Sequence, residues 1–317
     1  MTSSSLLEQL YQSIRMDMHE LGEDVARLEV HGNSVVGSHL VQGLSVDVDE
    51  TADGIAAVLR VAAGSRIRRP VHMCFGLLPE EGLQKIDMHV EIEEDAAVSV
   101  LAHCTFPNAV DVRHEMDADI RVAPGARYSY FERHVHGPNG GVTVVPKAHV
   151  DVAERASFRT EFELIRGRVG RMDIDYETVG HAGSVTEMTA RISGREDDFI
   201  RLNEVAHLTG EGARGVLTSH IAVRERAQAL IENTLRADAP YARGHVDCKE
   251  IVQGDAVARA VPIVEVRHPK AHVTHEAAIG SVDTRQLETL MARGLDEESA
   301  VELIIDGLLS AATSTEG

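Results

Sequence analysis

The chain has 317 residues, enough for one large domain or two ordinary ones, and 43% of them are hydrophobic. Aromatic residues contribute only 3% and Trp is absent, so the core must be built from Val, Ile, Leu and Ala. A net charge of -20 repels phosphate, which excludes nucleic acid and anionic membrane as the main partner while leaving proteins and metal cations open.

The N-terminal stretch lacks the basic region and unbroken apolar run of a signal peptide, and no apolar run has transmembrane length. An odd set of three cysteines, Cys74, Cys104 and Cys248, argues against a disulfide framework. A cytoplasmic protein is expected. Ser5-Leu6-Leu7-Glu8 fits a capping box. Leu6, Leu7, Leu10, Ile14, Met18 and Leu21 follow at helical spacing, so the pattern predicts one amphipathic helix that ends at Gly22.

From about residue 28 the period becomes two, as in Ile86-Asp87-Met88-His89-Val90-Glu91-Ile92, which places one set of side chains inward and the other in solvent. Small turn phrases return between these strands. Examples are Ala63-Gly64-Ser65, Asp95-Ala96-Ala97, Pro124-Gly125-Ala126, Arg155-Ala156-Ser157, Glu211-Gly212-Ala213 and Gly254-Asp255-Ala256. Most recur at roughly 30 residues, a spacing typical of stacked repeats. Strands without intervening helices, at a regular rise, predict a β-solenoid in which each coil buries its inner face on its neighbours. A β-sandwich or jelly roll is the alternative, but Asn-Gly and Asp-Gly hairpin turns are rare here. At Asp283 the pattern turns helical, with Asp283 or Thr284 capping one helix and Asp296 a second. These helices either pack on the end of the solenoid or offer an apolar face to a partner. The division is an N-terminal helical segment (residues 1–27), a β core (28–282) and a C-terminal helical segment (283–317).

Gly210-Glu211-Gly212-Ala213-Arg214-Gly215 spells the dinucleotide fingerprint, but a strand-like run follows it where the fingerprint needs a helix, so it reads as a turn. The chain contains no P-loop, GxSxG, HExxH or CxxC motif. Among the 17 histidines, His134 and His136 fall on one side of a strand, a workable metal pair. Cys74 sits among apolar residues and reads as inert. Cys104 reads either as a core cysteine at a strand end or as a reactive thiol, if cationic groups lower its pKa. The stretch from Cys248 to His275-Glu276 gathers thiolate, imidazole and carboxylate, the side chains that bind transition metals. His275 and Glu276 are adjacent, so on a regular strand they face opposite sides and only one shares a face with Cys248.

An ordered set of segments resembles the C-terminal pattern of the SufB/SufD family. It comprises Cys248, Gly254-Asp255, Pro262-Ile263-Val264-Glu265-Val266, His275-Glu276-Ala277 and Arg293-Gly294-Leu295. Cys104-Thr105 followed by Pro107 resembles a further SufB segment. The resemblance implies a right-handed parallel β-helix flanked by helices, serving as a non-enzymatic scaffold of SUF iron–sulfur cluster assembly. It also implies a homodimer and C-terminal helices that bind the ATPase SufC. By the same resemblance Cys104 accepts sulfur, Lys147 assists its transfer, and Cys248, His275 and Glu276 hold iron and a transient cluster, [4Fe-4S] in type. Glu132 and His134 stand where SufB has Gln and Trp. The alternative within the family is a cluster-free, SufD-like adaptor that recruits SufC. A carbohydrate-active solenoid would need paired carboxylates in an aromatic groove, which 3% aromatics and no Trp do not supply.

Overall fold

The computed structural model describes residues 3–17 and 21–310. The chain winds into a β-solenoid of about 8 turns. One sheet contains β1 (Arg27–His31), β2 (Ser34–His39), β5 (Val71–Gly76), β7 (Ala97–Phe106), β9 (Arg127–His136), β11 (Ser157–Arg166), β13 (Val185–Gly194), β15 (Arg214–Val223), β17 (Arg243–Val252) and β19 (His272–Gly280). The facing sheet contains β3 (Leu44–Glu50), β4 (Gly54–Val61), β6 (Glu81–Ile92), β8 (Asp111–Val122), β10 (Val142–Val152), β12 (Gly170–Gly180), β14 (Phe199–Leu208), β16 (Gln228–Ala237) and β18 (Val257–Val266). Successive strands alternate between the two sheets. Within each sheet, neighbouring coils pair in parallel from β4 and β5 onward. Only the first coil departs from this: β1–β2 and β3–β4 are antiparallel.

The period of two is the period of burial. In β14 the inward set is Ile200, Leu202, Glu204, Ala206 and Leu208, all buried, while the residues between them are half exposed. The inner side chains of both sheets form one continuous core of Val, Ile, Leu, Met and Ala, as the composition requires. The corners explain the recurring turn phrases. Asp95, Gly125, Arg155 and Gly183 each take a left-handed conformation at the same place in successive coils. Their N–H groups donate to the carbonyl of the next corner, as from Asp95 to Pro124 (3.1 Å) and from Gly125 to Glu154 (3.0 Å). Gly254 belongs instead to the opposite corner, with Glu196 and Glu225. The Gly210–Gly215 segment is a turn that leads into β15, and Gly212 has a φ of 70°.

The first helix is shorter than its apolar pattern predicts. α1 spans Ser3–Ser13, so Ser5 lies inside it rather than capping it. Arg15, with a φ of 58°, ends it in a Schellman arrangement: Met16 donates to the Tyr11 carbonyl (3.0 Å) and Arg15 to that of Gln12 (3.1 Å). Met18 lies outside the described residues, and Leu21 packs against the same small cluster as the helix without being part of it. α1 lies on the outer face of the first sheet, where Leu10 and Tyr11 bury Cys74. Tyr11 also donates to Glu29 (2.7 Å).

At the C-terminus, α2 (Thr284–Met291) is capped by Asp283 and α3 (Glu297–Leu309) by Asp296. α3 does not close the end of the solenoid. It lies on the outer flank of the first sheet, burying Ile305 and Leu309 against Ala222. Glu302 pins it there, accepting from Arg224 (2.5 Å) and Arg195 (3.2 Å). None of the α2 side chains is buried. Replacing Ile305 by Ala should therefore weaken helix docking by about 2–4 kcal/mol without disturbing the coils. Limited proteolysis would show faster cleavage after residue 283, with the strand signal in circular dichroism unchanged.

Candidate functional site

Parallel pairing aligns inward side chains of successive coils into rows. In the first sheet one row runs Glu132, Phe162, Ala190, Ser219 and Cys248. The opposing row runs Ala148, Tyr176, Glu204, Asn233 and Pro262. Polar groups on these facing rows meet across the interior. Tyr176 donates to Glu132 Oε2 (3.5 Å), and Asn233 Nδ2 donates to Ser219 Oγ (3.4 Å) and Cys248 Sγ (3.6 Å). A polar lane thus runs through an otherwise apolar core. At about 4.8 Å per coil, Glu132 and Cys248 are four coils, or about 19 Å, apart.

At the near end of the lane, Cys104 Sγ donates to Glu132 Oε1 (3.7 Å), and His134 Nε2 lies 2.7 Å from the same oxygen. His134 Nδ1 is 3.1 Å from His136 Nε2, and His136 Nδ1 is 3.1 Å from the Arg168 carbonyl. His134 and His136 do share a strand face, the inner one. Burial dominates the acid–base behaviour of this cluster. It pushes the Cys104 thiol well above its ordinary range, raises the Glu132 carboxyl, and lowers His134 to about 3. Cys104 at rest is therefore a protonated thiol. Lys147 is not beside it. Lys147 is exposed, next to Pro146, whose missing N–H leaves a gap in the β10–β12 ladder. It borders a cavity of ≈ 20 Å³, room for about one water, lined also by Tyr130 and Tyr176.

At the far end, Cys248 is buried, and burial raises its thiol too, with Ser219 and Asn233 opposing the shift. β17 and β19 pair without a bulge: Val246 lies beside His275, Asp247 beside Glu276 and Cys248 beside Ala277. His275 therefore has the parity of the inner row and Glu276 that of the outer face; both are exposed on the last strand. The structure does not bring Glu276 to Cys248 within one chain. The carboxyls that flank Cys248 are Glu250, two residues on along the same strand, and Glu204 across the lane. Their role was legible in part: Cys248-x-Glu250 shares a face by the period of two. Glu204 needs the coil-to-coil register, which the sequence does not print. Burial pushes Glu204 up to about 8 and Glu250 up to about 7. A third cluster lies outside the sheet under α1, where His72 Nε2 is 3.0 Å from His103 Nδ1 and burial raises Cys74 to about 12.

The fold and the facing rows define a β-solenoid protein with two buried thiol–carboxyl clusters in one interior. Residues 79–308 match the SufBD core domain of SUF system FeS cluster assembly. The chain is 37% identical over 283 residues to an iron–sulfur cluster assembly SufBD family protein of Methanocaldococcus jannaschii, covering 89% of this chain and 90% of that one. A second such protein, from Pyrococcus horikoshii, is 33% identical over 305 residues, 96% of this chain and 92% of the relative. The iron–sulfur cluster assembly protein SufB of Bacillus subtilis is 21% identical over 262 residues, 80% of this chain and 55% of SufB. The chain belongs to the SufBD family of iron–sulfur cluster assembly proteins.

The buried acids give a testable pH dependence. Glu204 keeps its proton when folded up to about pH 8, whereas an unfolded Glu loses it near 4.5. Between those values the folded state binds the extra proton, so stability falls as pH rises, by up to about 1.4 kcal/mol per pH unit. Glu250 acts in the same direction. Urea unfolding at pH 5 and pH 8.5 should show a smaller loss for Glu204→Gln than for the unsubstituted chain; equal losses would contradict this assignment.

Proposed function

We infer that the chain is a SUF scaffold on which a nascent cluster, [4Fe-4S] in type, is built from iron and sulfide, with Cys104 accepting sulfur and Cys248 holding the product. The observation that carries this is the row of buried polar side chains that lies between the two thiols in the core, bonded to each at its ends. Sulfur cannot pass between them by one thiol exchange, because five coils separate β7 from β17, about 24 Å. It would travel at the sulfane level as hydrodisulfide: sulfide attacks the outer sulfur of a Cys104 persulfide, giving HSS⁻ and the free Cys104 thiol, and Cys248 takes that sulfur and returns sulfide, the path passing Glu132, Tyr176 and Glu204, with Lys147 bordering the cavity beside Tyr176. Cys104 becomes a nucleophile only as a thiolate, so accepting sulfur requires a proton to leave the Cys104–Glu132–His134 cluster.

His275 and Glu276 supply harder ligands suited to ferrous iron, and they stand on the open last coil. β18 and β19 end their sheets, each with one free edge among the described residues, and Ile263, Val266 and Ile279 are exposed there. Such an end supports association with a second copy, so that cluster ligands gather at a homodimer seam. The α2–α3 pair supports docking of SufC. Its groove of ≈ 380 Å³ is lined by Leu290, Leu303 and Ile304, and Met291 is exposed nearby. ATP-driven closure of SufC would then reshape the seam; the scaffold itself needs no catalytic activity. A cytoplasmic setting suits free thiols. The cluster-free adaptor is the second reading, favoured by the burial of Cys248 away from Glu276.

Anaerobic reconstitution with iron and sulfide separates the two. The scaffold reading expects visible cluster absorbance after reconstitution, lost in Cys248→Ala; equal cluster absorbance in both proteins, or none in either, contradicts it. Truncation after residue 282 should abolish SufC binding while leaving the coils folded, and retained binding would refute the helical docking site.

A further inference from the structure

The near end of the lane holds more ligating chemistry than sulfur acceptance uses. Cys104 Sγ, a Glu132 carboxylate oxygen and a His134 ring nitrogen all lie within 4.8 Å of one another. All three residues are inside the solenoid, no more than 2% exposed. A fourth group, His114 on β8, comes from the facing sheet. It is 1% exposed, its ring centroid lies 6.0 Å from that of His134, and neither ring nitrogen has a hydrogen-bond partner. An unsatisfied buried polar atom costs about 1–3 kcal/mol, so an imidazole with two of them beside a thiol and a carboxyl calls for a ligand.

We propose that Cys104, Glu132 and His134 bind one divalent first-row transition-metal ion inside the solenoid, with His114, whose ring nitrogens lie outside their 4.8 Å group, turning in as the fourth ligand. Tetrahedral bonds of about 2.3 Å to sulfur and about 2.0 Å to nitrogen or oxygen set ligand atoms about 3.3–3.5 Å apart. The Cys104–Glu132 separation of 3.7 Å is close to that value. The His134–Glu132 contact of 2.7 Å must open by about 0.6 Å as the ion replaces the proton between them. Tyr176 holds the other Glu132 oxygen, leaving Oε1 for the ion. The chain from His134 through His136 to the Arg168 carbonyl orients the ligating ring.

Charge favours a dication. Thiolate and carboxylate bring two negative charges and the two imidazoles none, so the filled site is neutral within a core that penalises net charge. Binding requires no oxidant or reductant: the ion enters, the Cys104 proton and the proton shared by Glu132 and His134 leave to buffer, and metal–ligand bonds replace the hydrogen bonds. Three protein ligands in range, with His114 able to complete the set, make a tetrahedral donor group of the kind that suits Zn²⁺ or Fe²⁺. The site is about 24 Å from Cys248 and does not depend on the scaffold reading.

The test is anaerobic titration of metal-free, full-length Cys248→Ala protein with Co²⁺. The expected result is one Co²⁺ per chain, with thiolate-to-cobalt absorption in the near ultraviolet and tetrahedral bands in the visible. Cys104→Ser in that background should abolish the charge-transfer absorption, and His114→Leu should weaken binding by about 10–100-fold while retaining it. Absence of uptake, or charge-transfer absorption that survives Cys104→Ser, overturns the site, the second result assigning the thiolate to Cys74. Should Cys104→Ser fail to fold, Glu132→Gln decides: affinity unchanged from Cys248→Ala overturns the proposal, and a loss of about 100-fold or more supports it.

Discussion

Everything in this molecule depends on the register with which one coil is hydrogen-bonded to the next. Parallel pairing fixes which inward residue lies above which, and it holds without a bulge from β13 to β19. A one-residue slip would turn Cys248 outward and Lys249 inward. The left-handed corner residues on one side help to lock the register, because the N–H groups of Asp95, Gly125, Arg155, Gly183 and Gly212 are each bonded to the corner of the next coil. The lane is therefore a product of backbone geometry: side chains widely separated in sequence become neighbours because their coils stack.

The lane runs against the rule that cores are apolar. Glu132, Glu204, Asn233 and Glu250 are all buried, and Glu204 and Glu250 retain oxygens without partners among the described residues. Burying such groups lowers stability, and a longer run of Val and Leu would have made a firmer solenoid. Their placement between and beside two buried thiols is what gives the interior a chemistry. Neutral acids and thiols are the resting forms, so the interior carries little net charge until a cation or an anion enters it.

Much of the fold was legible in the sequence. The period of two marked the strands and the recurrence of small turns marked the coils, because both follow from local rules. α1 misled because Met18 and Leu21 continue its apolar spacing past Arg15, whose left-handed conformation ends the helix where no Gly or Pro announces it. The site was legible only along a strand. His134 and His136, and the opposite faces of His275 and Glu276, followed from alternation. Partners across coils or across sheets did not, because coil length varies: Glu132 to Phe162 is 30 residues and Phe162 to Ala190 is 28. An uncertainty of two residues along a row is enough to hide Tyr176, Glu204 and Asn233 from Cys248 and Glu132.

The scaffold reading stands or falls on passage of sulfur through the interior from Cys104 to Cys248. Mass spectrometry of peptides from protein exposed to an isotopically labelled persulfide donor tests it most directly. Labelled sulfane sulfur is expected on the Cys248 peptide, lost when Cys104 is replaced by Ser in a protein with an unchanged strand signal. Equal labelling of Cys248 with and without Cys104 would contradict it.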